Sequence, residues 1–375
     1  MITLIVNAGS SSLKTSLFEA EKLIAHYHYD KIGEDTRFYV NKTSKKVELI
    51  DPGHALRHNI EYLKNKNYKI AKVVHRVVHG GDFYNKPMLV TSKVKERIAA
   101  LRILAPLHNP NNLDCIERAE LLLPEAKHVA IFDTAYHQTL KEAHYRYGLP
   151  EEMYTKYKIR KYGFHGISHK YLAHEAQKVT KKKKIITCHL GNGSSITANL
   201  NGKSFDTSMG FTPLDGVIMG TRCGHIDPEI PLYLMRHLHI KPQRVYDILH
   251  NESGLLGLSG KQDLRDIQKK RTKEAKLALE KLSLDVKKYI GQYHAELNGA
   301  EAIVFSGGIG EGSWKIRELA LAELGNLDIK LDKAKNKRVK NPKACNVIHA
   351  RGSKVKILVI PTNEELQMLK DAKKV

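Results

Sequence analysis

Short apolar runs rich in β-branched residues alternate with polar turns along the first third of the chain. They predict strands over residues 2–7, 13–18, 23–29, 36–41 and 46–50, then a helix around 53–65 and a strand near 71–78. Helical patterns follow at 92–102 and 111–122, with a short strand from His128 to Phe132. After Tyr136 a loop-rich stretch runs to Gly166, and a helix follows to about Val179. A second strand cluster covers 185–208. The later part reads as helical, broken by two apolar strands, Ala302 to Phe305 and Lys356 to Ile360. In the clearest helix, between Lys273 and Leu297, the apolar positions Ala275, Leu279, Leu282, Val286, Ile290, Tyr293 and Leu297 step by three or four, and Asn298-Gly299 ends it. Strands first and helices later, twice over, predicts a duplicated α/β domain.

A near-repeat supports the duplication. Ile2-Thr3-Leu4-Ile5-Val6-Asn7-Ala8-Gly9-Ser10-Ser11-Ser12-Leu13-Lys14 is echoed by Ile185-Ile186-Thr187-Cys188-His189-Leu190-Gly191-Asn192-Gly193-Ser194-Ser195-Ile196-Thr197. Matching Gly9-Ser10-Ser11 to Gly193-Ser194-Ser195 gives a spacing of 193 − 9 = 184 residues. Small residues in such a hairpin let backbone N–H groups and hydroxyls approach an anion. Two copies suggest two phosphate-gripping hairpins.

At 375 residues the chain is too long for one compact core and suits two domains. No apolar run approaches the ~18 residues of a membrane helix, and the N-terminus has no basic, apolar leader pattern. The four cysteines, Cys115, Cys188, Cys223 and Cys345, form no CxxC pair, which points to a reducing, cytoplasmic setting. Lys and Arg number 62 against 40 Asp and Glu, a net charge of +22. The excess is spread along the chain, without aromatic interleaving or a nucleic-acid motif, so a lysine-rich surface is expected in place of a nucleic-acid interface.

Several segments could carry chemistry. The strand Ala302 to Phe305 runs into Ser306-Gly307-Gly308-Ile309-Gly310-Glu311-Gly312, a glycine turn opening a helix, suited to backing a nucleotide although not a Walker A loop. His75 and His79, four apart on a β-type run, lie ~13 Å apart and cannot chelate one ion; Arg76 aimed at a ligand is the better reading. The pair His165 and His169 flanks a glycine turn and is likewise not read as a metal site. Asp133 ends a short apolar strand, where α/β sheets place ligand crevices. Arg222 stands in the glycine-flanked loop Gly220-Thr221-Arg222-Cys223-Gly224.

Together these segments resemble the acetate kinase family. The matching blocks include Asn7 to Lys14, His75 to Gly81, Ala105 to Pro110, Phe132 to Thr139 and Tyr162 to Gly166. His189 to Ser195, Asp206 to Leu214, Gly220 to Arg222, Gly307 to Glu311 and Pro361 to Leu366 complete the set, in family order over almost the whole chain. The resemblance implies an α/β fold of two similar domains, of the actin, Hsp70 and sugar-kinase type, with ATP and Mg²⁺ bound in a cleft between them. It sets the domains at 1–136, joined by a C-terminal helix 366–375, and 137–365, the second binding nucleotide. It implies reversible phosphoryl transfer from ATP to acetate by direct in-line attack, giving acetyl phosphate and ADP.

Carried over position by position, Asn7 and Glu364 would orient Mg²⁺ (with Mn²⁺ able to substitute), and Lys14 would assist nucleotide phosphates. Arg76 would bind the substrate carboxylate, and Asp133, His165 and Arg222 would be catalytic. Contacts to ATP would come from His189, Leu190, Gly191, Asn192 and Gly193, from Asp263, Leu264 and Arg265, and from Gly308, Ile309, Gly310, Glu311 and Gly312. Val78, Leu107, Phe164 and Pro213 would receive the acetate methyl. The partners implied are acetate, ATP and a second copy in a homodimer, with no nucleic acid and no membrane. The chain departs from the family pattern at His225, where Asp is usual, at Gly312, where Asn is usual, at Leu264 and at Cys223, and it is somewhat short. A carboxylate substrate is ionised at neutral pH, so the obstacle is bringing it to an anionic phosphate, a task suited to two arginines and an imidazole. Asp133 then reads as positioning Mg²⁺ or a cationic side chain. The competing readings are a propionate kinase and an actin- or Hsp70-like ATPase.

Overall fold

The structure, a computed structural model, describes every residue except Lys42 and Leu107. The chain forms two compact units, Met1–Gln138 with Asn363–Val375, and Thr139–Thr362. Both are α/β, each built on one mixed sheet. Among the described residues no helix is long and apolar enough to cross a membrane.

The first unit contains β1 (Ile2–Ala8), β2 (Leu13–Glu19), β3 (Lys22–Asp30), β4 (Arg37–Val40), β5 (Thr43–Lys46), β6 (Ile70–Val77), β7 (Met88–Leu89) and β8 (Lys127–Phe132), ordered β5-β4-β3-β2-β1-β6-β8-β7. The second contains β9 (Lys184–Leu190), β10 (Ser194–Leu200), β11 (Lys203–Thr207), β12 (Ala302–Ser306), β13 (Asn346–Val347) and β14 (Lys356–Val359), ordered β11-β10-β9-β12-β14-β13. Setting β4 and β5 aside, the two orders are the same. Three antiparallel strands lead to two strands parallel to β1 or β9, and a short antiparallel strand closes the edge.

The duplication is real, but its register differs from the sequence expectation. Ala8 faces Leu13 across the first hairpin and Leu190 faces Ser194 across the second, so the offset at the strand ends is 190 − 8 = 182, not 184. Gly191-Asn192-Gly193 therefore takes the place of the Gly9-Ser10-Ser11 turn, and Ser194 and Ser195 are buried within β10. The shared Gly-Ser-Ser string misaligns the copies because it opens the first turn at Gly9, whereas in the second copy it starts at the last turn residue, Gly193, and runs into β10. The strand expected at 46–50 is also displaced. Asn41 turns the chain with φ 54°, which sets Thr43 opposite Val40 and makes the exposed, lysine-bearing Thr43–Lys46 the edge strand. Val47 and Leu49 instead bond Thr36 and Gly33 through their backbones.

Period-two alternation covers both faces of the second sheet. Ile303 and Phe305 join Ile186, Cys188 and Leu190 against the helix Lys273–Glu296, whose buried stripe includes Ala275, Leu279, Leu282, Val286, Ile290 and Tyr293. Ala302 and Val304 face the other way, with Leu172 and Ala176 of the helix Gly166–Thr180. In the first unit, Leu4, Val6, Leu13 and Val73 pack with Leu56 and Ile60 of the helix Pro52–Asn65, which Asp51 caps by accepting from the His54 N–H at 2.8 Å. The helix Glu364–Ala372 buries Gln367, Met368, Leu369 and Ala372 and packs on β1, β6 and β8, which places Glu364 in the first unit and not in the second. Parallel pairing lines up the C-terminal ends of β1, β6 and β8 on one edge of the first sheet, and those of β9, β12 and β14 on one edge of the second.

Candidate active site

In the first unit the aligned strand ends bring Asn7, Arg76 and Asp133 together. Val6 pairs with His75 and Arg76 with Ile131, so the three side chains stand beside one another without help from loops. Arg76 Nη1 donates to Asn7 Oδ1 at 3.1 Å, and Nη2 donates to Asp133 Oδ2 at 2.8 Å. Asp133 is only 1% exposed. Burial works against the charge on Arg76, but Asp133 and Glu364 outweigh it and hold the guanidinium protonated. Glu364 shows the other side of this balance. Burial raises its carboxyl pKa, Arg76 opposes the rise, and Asp133 and Glu365 add to it. Lys14 faces Asn7 across the first hairpin and also acts on Glu364.

The chain beyond Arg76 is held by groups that sequence reasoning missed. Val78 and His79 donate their N–H groups to Asn112 and Asn109, each at 3.1 Å, and Asn112 Nδ2 donates to the Ala8 carbonyl at 3.0 Å. Two buried asparagines three apart on an otherwise apolar helix face were the available signal. His75 does not chelate with His79. It stacks on His128, Nε2 to Nδ1 at 3.2 Å, and burial lowers its pKa to about 3.

In the second unit His165 and Arg222 converge on the hairpin turn. A Cβ placed on Gly193 would lie 3.4 Å from His165 Cε1 and 3.7 Å from Arg222 Nη1. His165 takes a left-handed backbone, φ 56°, at the start of the helix Gly166–Thr180, a conformation that costs energy for a residue with a side chain. Its Nδ1 is 2.8 Å from Ser195 Oγ, which also lies 2.7 Å from His169 Nε2. Ser195, a turn residue in the sequence reading, is therefore the post that orients two imidazoles. The His189 ring lies tilted against that of His165 with centroids 4.6 Å apart, its Nδ1 2.8 Å from Ser168 Oγ.

Arg222 Nη1 donates to the Pro213 carbonyl at 3.2 Å and to Met219 Sδ at 3.7 Å. No described carboxylate forms an ion pair with it, and burial lowers its pKa. Its loop is fixed by backbone bonds from Met219 N to Arg222 O, 3.1 Å, and from Gly220 N to Asn192 O, 3.1 Å. His225 sits 3.5 Å from Asp215 at the exposed end of that loop.

A cavity of about 560 Å³ opens at the ends of β9 and β12. Of the residues that the resemblance implies as nucleotide contacts, Gly191, Asn192, Asp263, Leu264, Arg265, Gly308, Ile309 and Gly312 line it, together with Gln262, Gln268, Ser313 and Asn341, which that set lacks. Its volume suits a small-molecule ligand. Other members of the set do different work. Leu190 is fully buried core, and Gly310 is buried. Glu311 turns its carboxylate back to accept from Gly307 N at 2.9 Å and from Thr362 N at 3.2 Å, tying the glycine turn to the end of β14. Arg265 pairs with Asp263 at 2.6 Å on the surface.

A family model described as the acetokinase family matches residues 2–370. The chain belongs to that family. It is 45% identical to the acetate kinase of Thermoanaerobacterium thermosaccharolyticum and 44% identical to that of Thermotoga maritima, covering all of this chain and 99% and 98% of those proteins. The first alignment spans 398 positions, so 398 − 375 = 23 have no counterpart here, which accounts for the short length. Among solved structures, a Porphyromonas gingivalis acetate kinase superposes with TM-score 0.93 at 34% identity, covering 100% of this chain and 99% of that one. A propionate kinase from Francisella tularensis superposes with TM-score 0.93 at 37% identity, covering 99% and 98%.

Of the apolar set, Val78 and Phe164 are buried and Pro213 is held at Arg222. Leu107 lies outside the described residues.

Proposed function

We propose that this protein is an acetate kinase, transferring the γ-phosphoryl group of ATP to acetate and running in reverse from acetyl phosphate and ADP. The observation that carries the proposal is the convergence of His165 and Arg222 on Gly193, a guanidinium without an ion-pair partner among the described residues beside an imidazole at an anion-binding type of turn. Family membership supplies the reaction to which that charge is put.

The carboxylate nucleophile needs no base, so the residues act by charge and position. Arg76 takes the acetate carboxylate. Asp133 serves it as a positioning residue, since its 2.8 Å bond fixes the guanidinium's direction. Arg222 and His165 act on the phosphoryl oxygens as charge spreads over them, and Ser195 sets the imidazole's angle. The nucleoside takes the cavity at Gly191, Asn192, Gly308 and Ile309, and Lys14 assists phosphate binding. Val78, Leu107, Phe164 and Pro213 receive the methyl group.

Asn7, Asp133 and Glu364 offer oxygen donors, and burial, with Asp133 and Glu365 close by, raises the pKa of Glu364. That set fits a hard divalent cation, Mg²⁺ with Mn²⁺ substituting, and when bound it would neutralise phosphate charge. Four free cysteines support a cytoplasmic setting. The helix Glu229–Arg236 has no buried residue and exposes Ile230, Leu232 and Tyr233, which supports a homodimer.

A second reading, propionate as preferred substrate, is favoured by the Francisella tularensis propionate kinase. Comparing kcat/KM for acetate, propionate and butyrate with ATP decides between them. Acetate first, propionate weaker and butyrate poor is expected, because one methylene changes pocket affinity by only ~1–3 kcal/mol. Propionate ahead of acetate would install the second reading.

A further inference from the structure

In one wall of the cavity assigned to the nucleoside, a glycine meets an asparagine from a different segment. Gly312 contributes no side chain to the lining. A Cβ built on Gly312 would lie 3.1 Å from Asn341 Oδ1, its one close contact among the described residues outside its own turn and helix. The Asn341 amide therefore faces the space that a side chain at Gly312 would fill.

Three features set Asn341 there. Its N–H donates to the Glu311 carbonyl at 3.2 Å, which ties it to the residue before Gly312. Its backbone is left-handed, φ 47°, so the side chain leaves the turn toward the cavity whose lining it joins. Arg317, fully buried, staples the two segments. It donates to the carbonyls of Gly310 at 2.7 Å and Glu311 at 3.0 Å, and to those of Asn336 at 3.0 Å and Val339 at 2.8 Å. Asparagine suits a left-handed turn, so the conformation alone accounts for the residue type. It does not account for an amide facing a side-chain-free wall of a cavity of nucleoside size.

We infer that Asn341 is the base-reading side chain of the nucleotide cavity, supplying a polar edge contact that Gly312 leaves to it. This rests on the assignment of that cavity to the nucleoside. An amide offers one donor group and one acceptor side by side, matching the paired donor and acceptor on a purine edge. Because this contact is remote from the reacting phosphate, its loss acts on ground-state binding and leaves the chemical step alone.

The test uses steady-state kinetics with ATP and with inosine triphosphate, whose base carries an oxygen where adenine carries the amine. Asn341→Gly keeps the left-handed turn and removes the amide. Asn341→Asp keeps the shape and removes the donor. Asn341→Gly is expected to raise KM for ATP about fivefold, with kcat and KM for acetate within about twofold of the unaltered protein, since one hydrogen bond to a neutral group is worth roughly a kcal/mol. Both variants are expected to shift the ATP-to-inosine-triphosphate ratio of kcat/KM, which a merely structural role would leave constant. Gly308→Leu tests the cavity itself, as a Cβ there meets nothing within 4 Å and the added side chain fills open space. If Gly308→Leu raises KM for ATP while the Asn341 variants leave KM and the ratio unchanged, Asn341 is overturned and the cavity stands. If Gly308→Leu also leaves KM unchanged, the nucleoside binds elsewhere and both fall.

Discussion

At the scale of the residue, the site is a balance of charges that no side chain holds alone. Arg76 is committed to Asp133 and Asn7, whereas among the described residues the Arg222 guanidinium donates to a carbonyl and a thioether. Replacing Arg222 with alanine is therefore expected to lower kcat by about 10²–10³, the usual scale for losing one transition-state donor, with little change in thermal midpoint. Near-normal turnover would remove Arg222 from the reaction. Glu364 gives a prediction in pH. Its pKa is raised, so in the cation-free protein its contribution to stability is present below the ordinary carboxylate range and lost as pH rises through the raised value. A bound cation reverses this, because it takes the ionised form. The Mg²⁺ concentration for half activity is expected to fall as pH rises through the raised value and then level, and Glu364→Gln is expected to need several-fold more Mg²⁺ with a flat pH dependence. Cation titrations at several pH values check both. A sloping profile in Glu364→Gln would place the titrating group elsewhere.

At the scale of the element, the loops are held by close backbone approach, and that is where sequence reading reached least far. Gly254 has φ +62°, and a Cβ on it would come within 2.2 Å of the Met219 carbonyl and 2.6 Å of the Arg222 carbonyl. Neither neighbour is a side chain that can swing aside. Gly254→Ala is expected to displace the arginine loop, costing at least tenfold in kcat and several degrees in thermal midpoint. Gly291→Ala is the control. It lies in the helix Lys273–Glu296 with open space around its Cβ, and a gain of roughly 0.5–1 kcal/mol is expected there. Thermal melts of the two variants, with turnover, separate the cases. Equal behaviour would mean that the close approach at Gly254 is not rigid. The glycines near Arg222 were visible in the sequence, but the one that decides its position lies 32 residues away (254 − 222) and carried no local signal.

At the scale of the whole molecule, the helix Glu229–Arg236 leaves Ile230 44% and Tyr233 51% exposed, a face that a second copy would cover. Sedimentation is expected to give a dimer, and Leu232→Asp with Tyr233→Asp is expected to give a monomer with a lower thermal midpoint. A dimer unaffected by both changes would move the interface to another face. The sequence by itself determined the α/β class, the duplication and the long helix. These are local properties, since periodicity and turn chemistry within ten or twenty residues set them. The tertiary structure alone decided the two-residue shift between the copies, the move of the edge strand to Thr43–Lys46 and the return of Glu364 to the first unit. It alone brought Ser195 under two histidines and Asn341 opposite Gly312. Each of these depends on which strand pairs with which and on where buried polar groups find partners, and such pairings join residues that the chain keeps far apart.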